Sequence, residues 1–370
     1  MVGLVSDRIP RMLKDTAGIG QLLFVGFDGT ELNAELREMF LEIRPGGIIL
    51  FKRNIVEVEQ TLALVAGLHA LYEPAPIVAV DEEGGQVSRL RPLAPTLPPA
   101  ARLASLDKPA AVRELSASLG RLLASLGFDL DFAPVVDLCR PDAPNGIGDR
   151  SFGTDPETAT VQASAYLDGL ADAGVMACLK HFPGLGPTLF DSHHHLPTVQ
   201  KDGPAFARED LLPYRRLHQR VPVIMIGHGH YPFLAGPDPI AATLAPQIVT
   251  DLLRADLGFA GVALADDLEM KAVSARVPLD ELAPRALAAG CDMLLVCRKR
   301  DAIHASWTAL RQWAGDGRLR PERVAQAKDR LEGLRAARHV AVALRSGGAP
   351  GAAAFQAACA DLAGRLEPIA

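Results

Sequence analysis

The chain is built on short, nearly uninterrupted apolar runs separated by longer segments of helical periodicity. Runs fall at 22–27, 47–51, 77–80, 130–136, 175–179, 221–226, 262–265 and 293–296. Few of them alternate apolar with polar residues, as a strand with one wet face does, so they predict about eight parallel strands covered on both sides. The segments between them carry apolar stripes at helical spacing. Val56, Val58, Leu62, Leu64, Val65 and Leu68 form one, and Val112, Leu115, Leu119, Leu122 and Leu123 form another. Strands alternating with helices predict an α/β fold, and about eight such units predict a (β/α)8 TIM-type barrel over residues 1–340. The remainder, 341–370, reads as a tail: a linker-like patch from Arg345 through Gly347, Gly348 and Pro350, then a short helix with Leu362, Leu366 and Ile369.

The residues that follow the runs favour a closed barrel over an open sheet. Asp28, Lys52 with Arg53, Asp81, Asp137, Lys180 with His181, His228, and Asp266 with Asp267 each stand at the end of a different run. An open sheet gathers polar groups only where its strand order reverses, whereas a barrel collects every strand end around one mouth. No glycine-rich phosphate loop lies between a run and a helix, so nucleotide binding has no motif behind it.

Composition narrows the class. The chain has 370 residues, 49% hydrophobic and 22% charged, with net charge -6. It can bury a large core, and its scattered Lys and Arg residues give no footprint for nucleic acid. No apolar stretch approaches the roughly 20 residues of a membrane span, and the first residues lack the apolar core of a secretory signal. The expectation is a cytoplasmic protein with no membrane association. Cys139, Cys178, Cys291, Cys297 and Cys359 are dispersed without paired spacing, as free thiols of a reducing compartment are.

The densest chemistry lies at 180–197, where Lys180, His181, Asp191, His193, His194 and His195 crowd into a Gly/Pro-rich stretch. Asp191 stands two residues before His193, close enough in a turn for the carboxylate to fix one imidazole tautomer and leave the other nitrogen to a substrate. Such a triplet alone is also the composition of a solvated turn. Asp266 and Asp267 permit a division of labour. Asp266, nearer the strand, is placed facing inward, where it can act as a nucleophile or ligand, and its neighbour can cap the next helix. The 81–89 segment offers Asp81 and Arg89 around Gly84 and Gly85, and 148–153 adds Arg150. His193, His194, His195, His228 and His230 raise a metal hydrolase. Their bunching on one loop and the absence of histidine after the first run argue against a metal, and no cofactor is expected.

Taken in order, these motifs resemble the family 3 glycoside hydrolases, and within them the single-domain bacterial β-N-acetylglucosaminidases of cell-wall recycling. The likeness covers about residues 15–335. It rests on Gly46–Phe51 with Arg53 and Asn54, Asp81–Arg89, Phe132–Asp137, Gly148–Gly153, Lys180–Gly184, Asp191 with His193, Asp266–Met270 and Ala289–Val296. The resemblance implies retaining hydrolysis through a covalent glycosyl-enzyme. It gives Asp266 the nucleophile's role and His193, held by Asp191, that of acid/base. Asp81, Arg89, Arg150, Lys180 and His181 would grip the terminal sugar. The implied substrate is a small glycoside or muropeptide that yields N-acetylglucosamine. Alternatives are a β-glucosidase or glycoside phosphorylase of the same family and, from another class, a sugar-binding barrel without turnover. The chain departs from the family loop Lys-His-Phe-Pro-Gly-His-Gly-Asp-Thr at Leu185 and Pro187, which bears on how the loop carrying His193 is hinged.

Overall fold

The computed structural model describes residues 18–142, 145–186, 188, 195–345 and 350–369. Eight parallel strands close into one barrel in sequence order: β1 (Leu23–Val25), β2 (Gly47–Leu50), β3 (Ile77–Val80), β4 (Leu130–Asp131), β5 (Met176–Phe182), β6 (Val223–Ile226), β7 (Val262–Ala265) and β8 (Met293–Val296). The ring is sealed by β1 pairing with β8, Phe24 opposite Leu295. This is the (β/α)8 architecture expected from the apolar runs.

Alternation along each strand divides the core in two. Phe24, Ile49, Ile77, Ala79, Leu130, Met176, Cys178, Val223, Met225, Val262, Leu264, Met293 and Leu295 point inward and pack on one another. Their neighbours Val25, Ile48, Val78, Leu179, Ile224, Ala263 and Leu294 point outward under the helices. Both sets are apolar, which is why the runs read as continuous. Gly47 lies on the inward set and makes room there, since a Cβ would sit 2.3 Å from the Phe24 ring. That ring meets Phe132 edge to face, with centroids 5.2 Å apart.

Two runs end differently from their sequence limits. The run at 130–136 supplies only a two-residue strand, because Pro134 has no N–H for the ladder. Val135 then rejoins as an isolated bridge to Lys180. In compensation β5 extends past its apolar run, so Lys180 and His181 are strand residues rather than loop residues. Val56, the first member of one predicted stripe, precedes its helix (Val58–His69) and is 59% exposed.

The lower end of the barrel is closed by the helix Pro321–Ala343, whose Leu331 and Leu334 join the interior cluster. Buried carboxylates fasten it. Asp292 accepts the Ala263 N–H at 2.9 Å and Arg330 Nη1 at 3.0 Å, and also pairs with Arg254 and Arg323. Asp129 takes His69 Nε2 at 2.8 Å and Arg338 Nε at 2.8 Å. The segment expected as a tail contains a 15-residue helix, Ala352–Leu366. It lies along the helix Pro109–Leu126 with Phe355, Ala358 and Leu362 buried. Among the described residues no helix is long and apolar enough to cross a membrane.

Removing the Asp292 carboxylate strands three guanidinium groups in or near the interior. Asp292→Ala is expected to lower unfolding free energy by about 3–5 kcal/mol, read as a reduced urea midpoint at unchanged slope. A loss below about 1 kcal/mol would show that the arginines rehydrate freely.

Candidate active site

The inward positions of the strands continue past the apolar interior, and there they become polar. Asp81 follows Ala79 by two residues, Lys180 follows Cys178, and Asp266 follows Leu264, so all three enter the upper mouth of the barrel. A register shift in β5 between Leu179 and Phe182 lets His181 reach the same space. Together with Arg89 and Arg150 they line one pocket of about 300 Å³. Six of the eight residues singled out by sequence therefore meet in one place. The other two, Asp191 and His193, lie outside the described residues, as does Pro187.

The polar wall is an ion network. Lys180 Nζ lies 2.8 Å from Asp81 Oδ1 and 2.5 Å from Glu83 Oε1. Arg150 grips Glu83 with both prongs, Nε to Oε2 at 2.8 Å and Nη2 to Oε1 at 2.9 Å. Arg89 stands 3.5 Å from the second Asp81 oxygen. Burial alone would push the Glu83 carboxyl up, but Arg150 and Lys180 outweigh it and hold it well below the usual carboxylate range. Burial likewise disfavours the Lys180 ammonium, and Asp81 with Glu83 more than offsets that, raising it above an ordinary lysine. Glu83 and Lys180 thus stay charged at neutral pH.

Glu83 was not a sequence candidate, although it has the same parity as Asp81. Its twin Glu82 does different work. The Glu82 carboxylate accepts the N–H groups of Arg89 at 2.6 Å and Leu90 at 2.9 Å, which turns the loop back so that Arg89 returns toward Asp81. Gly84, at φ +94°, makes the turn where a Cβ would sit 2.8 Å from Leu97 and Pro98 atoms.

The two aspartates after β7 separate, one inward and one not, but Asp267 does not cap the next helix as expected: that helix, Lys271–Ser274, has Met270 at its N-cap and no side-chain cap bond. Asp266 continues the ladder through its N–H to Ile226 O at 3.0 Å and lines the pocket. Asp267 turns into the protein, accepting Glu269 N at 3.0 Å and Cys297 N at 3.2 Å, and burial pushes its carboxyl up to about 7. His228 supports this turn, with Nε2 donating to the Asp267 carbonyl at 2.9 Å and Nδ1 accepting from the Thr243 hydroxyl at 2.9 Å. His230 is buried against the backbone of Ile240. Two of the five histidines weighed as metal ligands are thus engaged within the fold, and His195 is exposed. Among the described residues no group of three His, Cys, Asp or Glu side chains could hold a metal.

Two further features lacked a sequence signal strong enough to assign them. Phe51 lines the pocket with Arg53 stacked 4.3 Å from its ring centre and Arg89 at 5.5 Å. Asp137, buried behind the wall, holds His181 Nδ1 at 2.7 Å. Leu185, one of the two departures in the loop, is buried in a small apolar cluster with Val135, Cys139 and Ile147.

Comparison with known proteins matches residues 16–334 to the model of the glycosyl hydrolase family 3 N terminal domain. A beta-hexosaminidase of Alkalilimnicola ehrlichii is 41% identical over 290 residues, 76% of this chain and 82% of that protein. One of Aromatoleum aromaticum is 38% identical over 315 residues, 83% of this chain and 85% of that protein. Among solved structures, a family 3 beta-N-acetylglucosaminidase from Paenibacillus superposes with TM-score 0.85 at 33% identity, covering 95% of this chain and 68% of that one. NagZ from Neisseria gonorrhoeae, solved with N-trifluoroacetyl-D-glucosamine, gives TM-score 0.72 at 32% identity over 88% of this chain and 97% of that one. With a closed barrel, a pocket at its upper mouth and a family match spanning most of its length, this chain belongs to glycosyl hydrolase family 3.

Proposed function

We propose that the chain is an exo-acting β-N-acetylhexosaminidase that releases terminal N-acetylglucosamine with retention of configuration. The observation that carries this reading is Asp266 on an inward position of β7, in a pocket of about 300 Å³ whose opposite wall is a fixed set of charged hydrogen-bonding groups. A pocket of that size suits one sugar ring. The relatives named beta-hexosaminidase, and the one solved with an N-acylated glucosamine, favour an acetamido sugar over glucose.

In this reading Asp81, Arg89, Arg150, Lys180 and His181 hold the hydroxyls of the terminal ring. Asp266 attacks the anomeric carbon while an imidazolium His193, oriented by Asp191, protonates the departing glycosidic oxygen. The glycosyl ester is then opened by water, whose proton returns to His193. A carboxylate near the anomeric centre also stabilises the oxocarbenium character of both transition states. Peptidoglycan-derived fragments are the proposed natural substrate. A cytoplasmic setting is supported by five free thiols, four of them buried.

Asp266→Asn is expected to lower kcat for nitrophenyl β-N-acetylglucosaminide by roughly 10⁴-fold or more, with N-acetylglucosamine binding retained. Substantial residual turnover would move the nucleophile elsewhere. In kcat/KM, which reports the first step, His193→Ala should slow alkyl glycosides by roughly 10²–10⁴-fold and far less affect aryl glycosides whose leaving group needs no proton, while kcat falls for both because the second step loses its base. Equal losses in kcat/KM on both substrates would remove His193 from the acid role. Wild type should prefer the aryl N-acetylglucosaminide to the aryl glucoside by about tenfold or more in kcat/KM. The reverse preference would make it a β-glucosidase, and a sugar phosphate formed in phosphate buffer would make it a phosphorylase.

A further inference from the structure

Asp137 is 1% exposed, lines no part of the pocket, and spends its whole carboxylate on two points of the site. Oδ2 lies 2.7 Å from His181 Nδ1 and accepts the His181 backbone N–H at 3.2 Å. Oδ1 accepts the Leu185 N–H at 2.7 Å. The carboxylate is held beside β5 because Val136 N donates to Lys180 O at 2.9 Å and Val135 bridges to Lys180. The segment after β4 therefore runs alongside the polar end of β5.

We infer that Asp137 is a positioning residue for the glycosidase reaction, fixing the tautomer of His181 so that its Nε2 faces the sugar while anchoring the chain at Leu185. This rests on the proposed function of the pocket. An ionised carboxylate only accepts hydrogen bonds, so a contact at 2.7 Å requires the proton to sit on Nδ1. Nε2 is then the ring nitrogen left for a ligand. The second oxygen acts on the stretch that leads away from β5. Its neighbours fix the same stretch, with Tyr231 donating its hydroxyl to Gly184 O at 2.8 Å and Asn145 Nδ2 donating to Gly186 O at 2.8 Å. The three contacts hold residues 184–186 by backbone groups alone. The grip on the sugar and the start of the loop are thus set from one buried carboxylate. The Leu185 side chain takes no part, being packed on Val135, Cys139 and Ile147.

An isosteric amide tests this. Asp137→Asn leaves one acceptor oxygen where two served, so its NH2 must meet either His181 Nδ1 or the Leu185 N–H, and one of the two contacts is broken or its tautomer reversed. In kcat/KM for the aryl N-acetylglucosaminide, Asp137→Asn alone should cost about tenfold or more. In a His181→Ala background the same change should cost at least about threefold less, because only the anchor at Leu185 is left to lose. Equal losses in both backgrounds would show that Asp137 does not act through His181, and would overturn the assignment while leaving the function intact. A wild type that neither binds N-acetylglucosamine nor cleaves the aryl substrate overturns the function and this assignment with it. Should the variant fail to fold, nitrogen-resolved histidine NMR of the wild type decides. A protonated Nδ1 on His181 at neutral pH is expected, and a bare Nδ1 overturns the assignment.

Discussion

A closed ring of eight short strands leaves no choice about which residues face its axis: every second one must, and the space they enter is too small for water and side chains together. Up to the strand ends that space is filled by Phe24, Ile49, Met176, Leu264 and their neighbours. One step further the same alternation continues with Asp81, Lys180 and Asp266, where the ring opens to solvent. The site is therefore the last layer of the core, written in polar residues. Asp81, Lys180 and Asp266 take their places from the strands, and Glu83, Arg89 and Arg150 are brought to them by the segments above.

Both ends of the barrel bury carboxylates against cations, with different results. At the lower end Asp292 is bound by arginines that also donate to backbone carbonyls, as Arg323 does to Leu287 and Cys291 at 3.0 Å, and Asp129 pairs with His69 and Arg338. These bonds tie the helix Pro321–Ala343 to the ring. At the upper end Lys180, Arg150, Asp81 and Glu83 neutralise one another beside an open pocket. Removing such groups from water is costly, and mutual pairing offsets most of that cost. What remains is a wall of oriented donors and acceptors that need not reorganise when a hydroxylated ligand arrives.

The strands were legible because a short, unbroken apolar run flanked by polar residues suits a strand buried on both faces better than any other element, and their order followed from alternation with helices. The inward position of Asp266 was legible from its closeness to β7, but the capping role given to Asp267 was not met, because its carboxylate is taken by the turn at Glu269 and the Cys297 amide after β8. Glu82 and Glu83 show where reading stops. They are adjacent and identical, yet one pins its own loop and the other joins Lys180 and Arg150, 97 and 67 residues further along. Placing Lys180 and His181 after a strand was reasonable for ionisable residues, but their partners come from β3 and the segment after β4, which only the closed ring brings near. The C-terminal helix was underestimated because its alanines give a weak apolar stripe.

Leu185 replaces a histidine in the motif usual for the family, and the contact made there changes what such a replacement means. Asp137 meets the amide of residue 185, which every amino acid but one presents alike. Here the side chain is isobutyl and packs on Val135, Cys139 and Ile147, contacts that the amide bond does not depend on. The residue this position excludes is proline, so the constraint on the loop is carried by a bond that an inventory of side chains does not record.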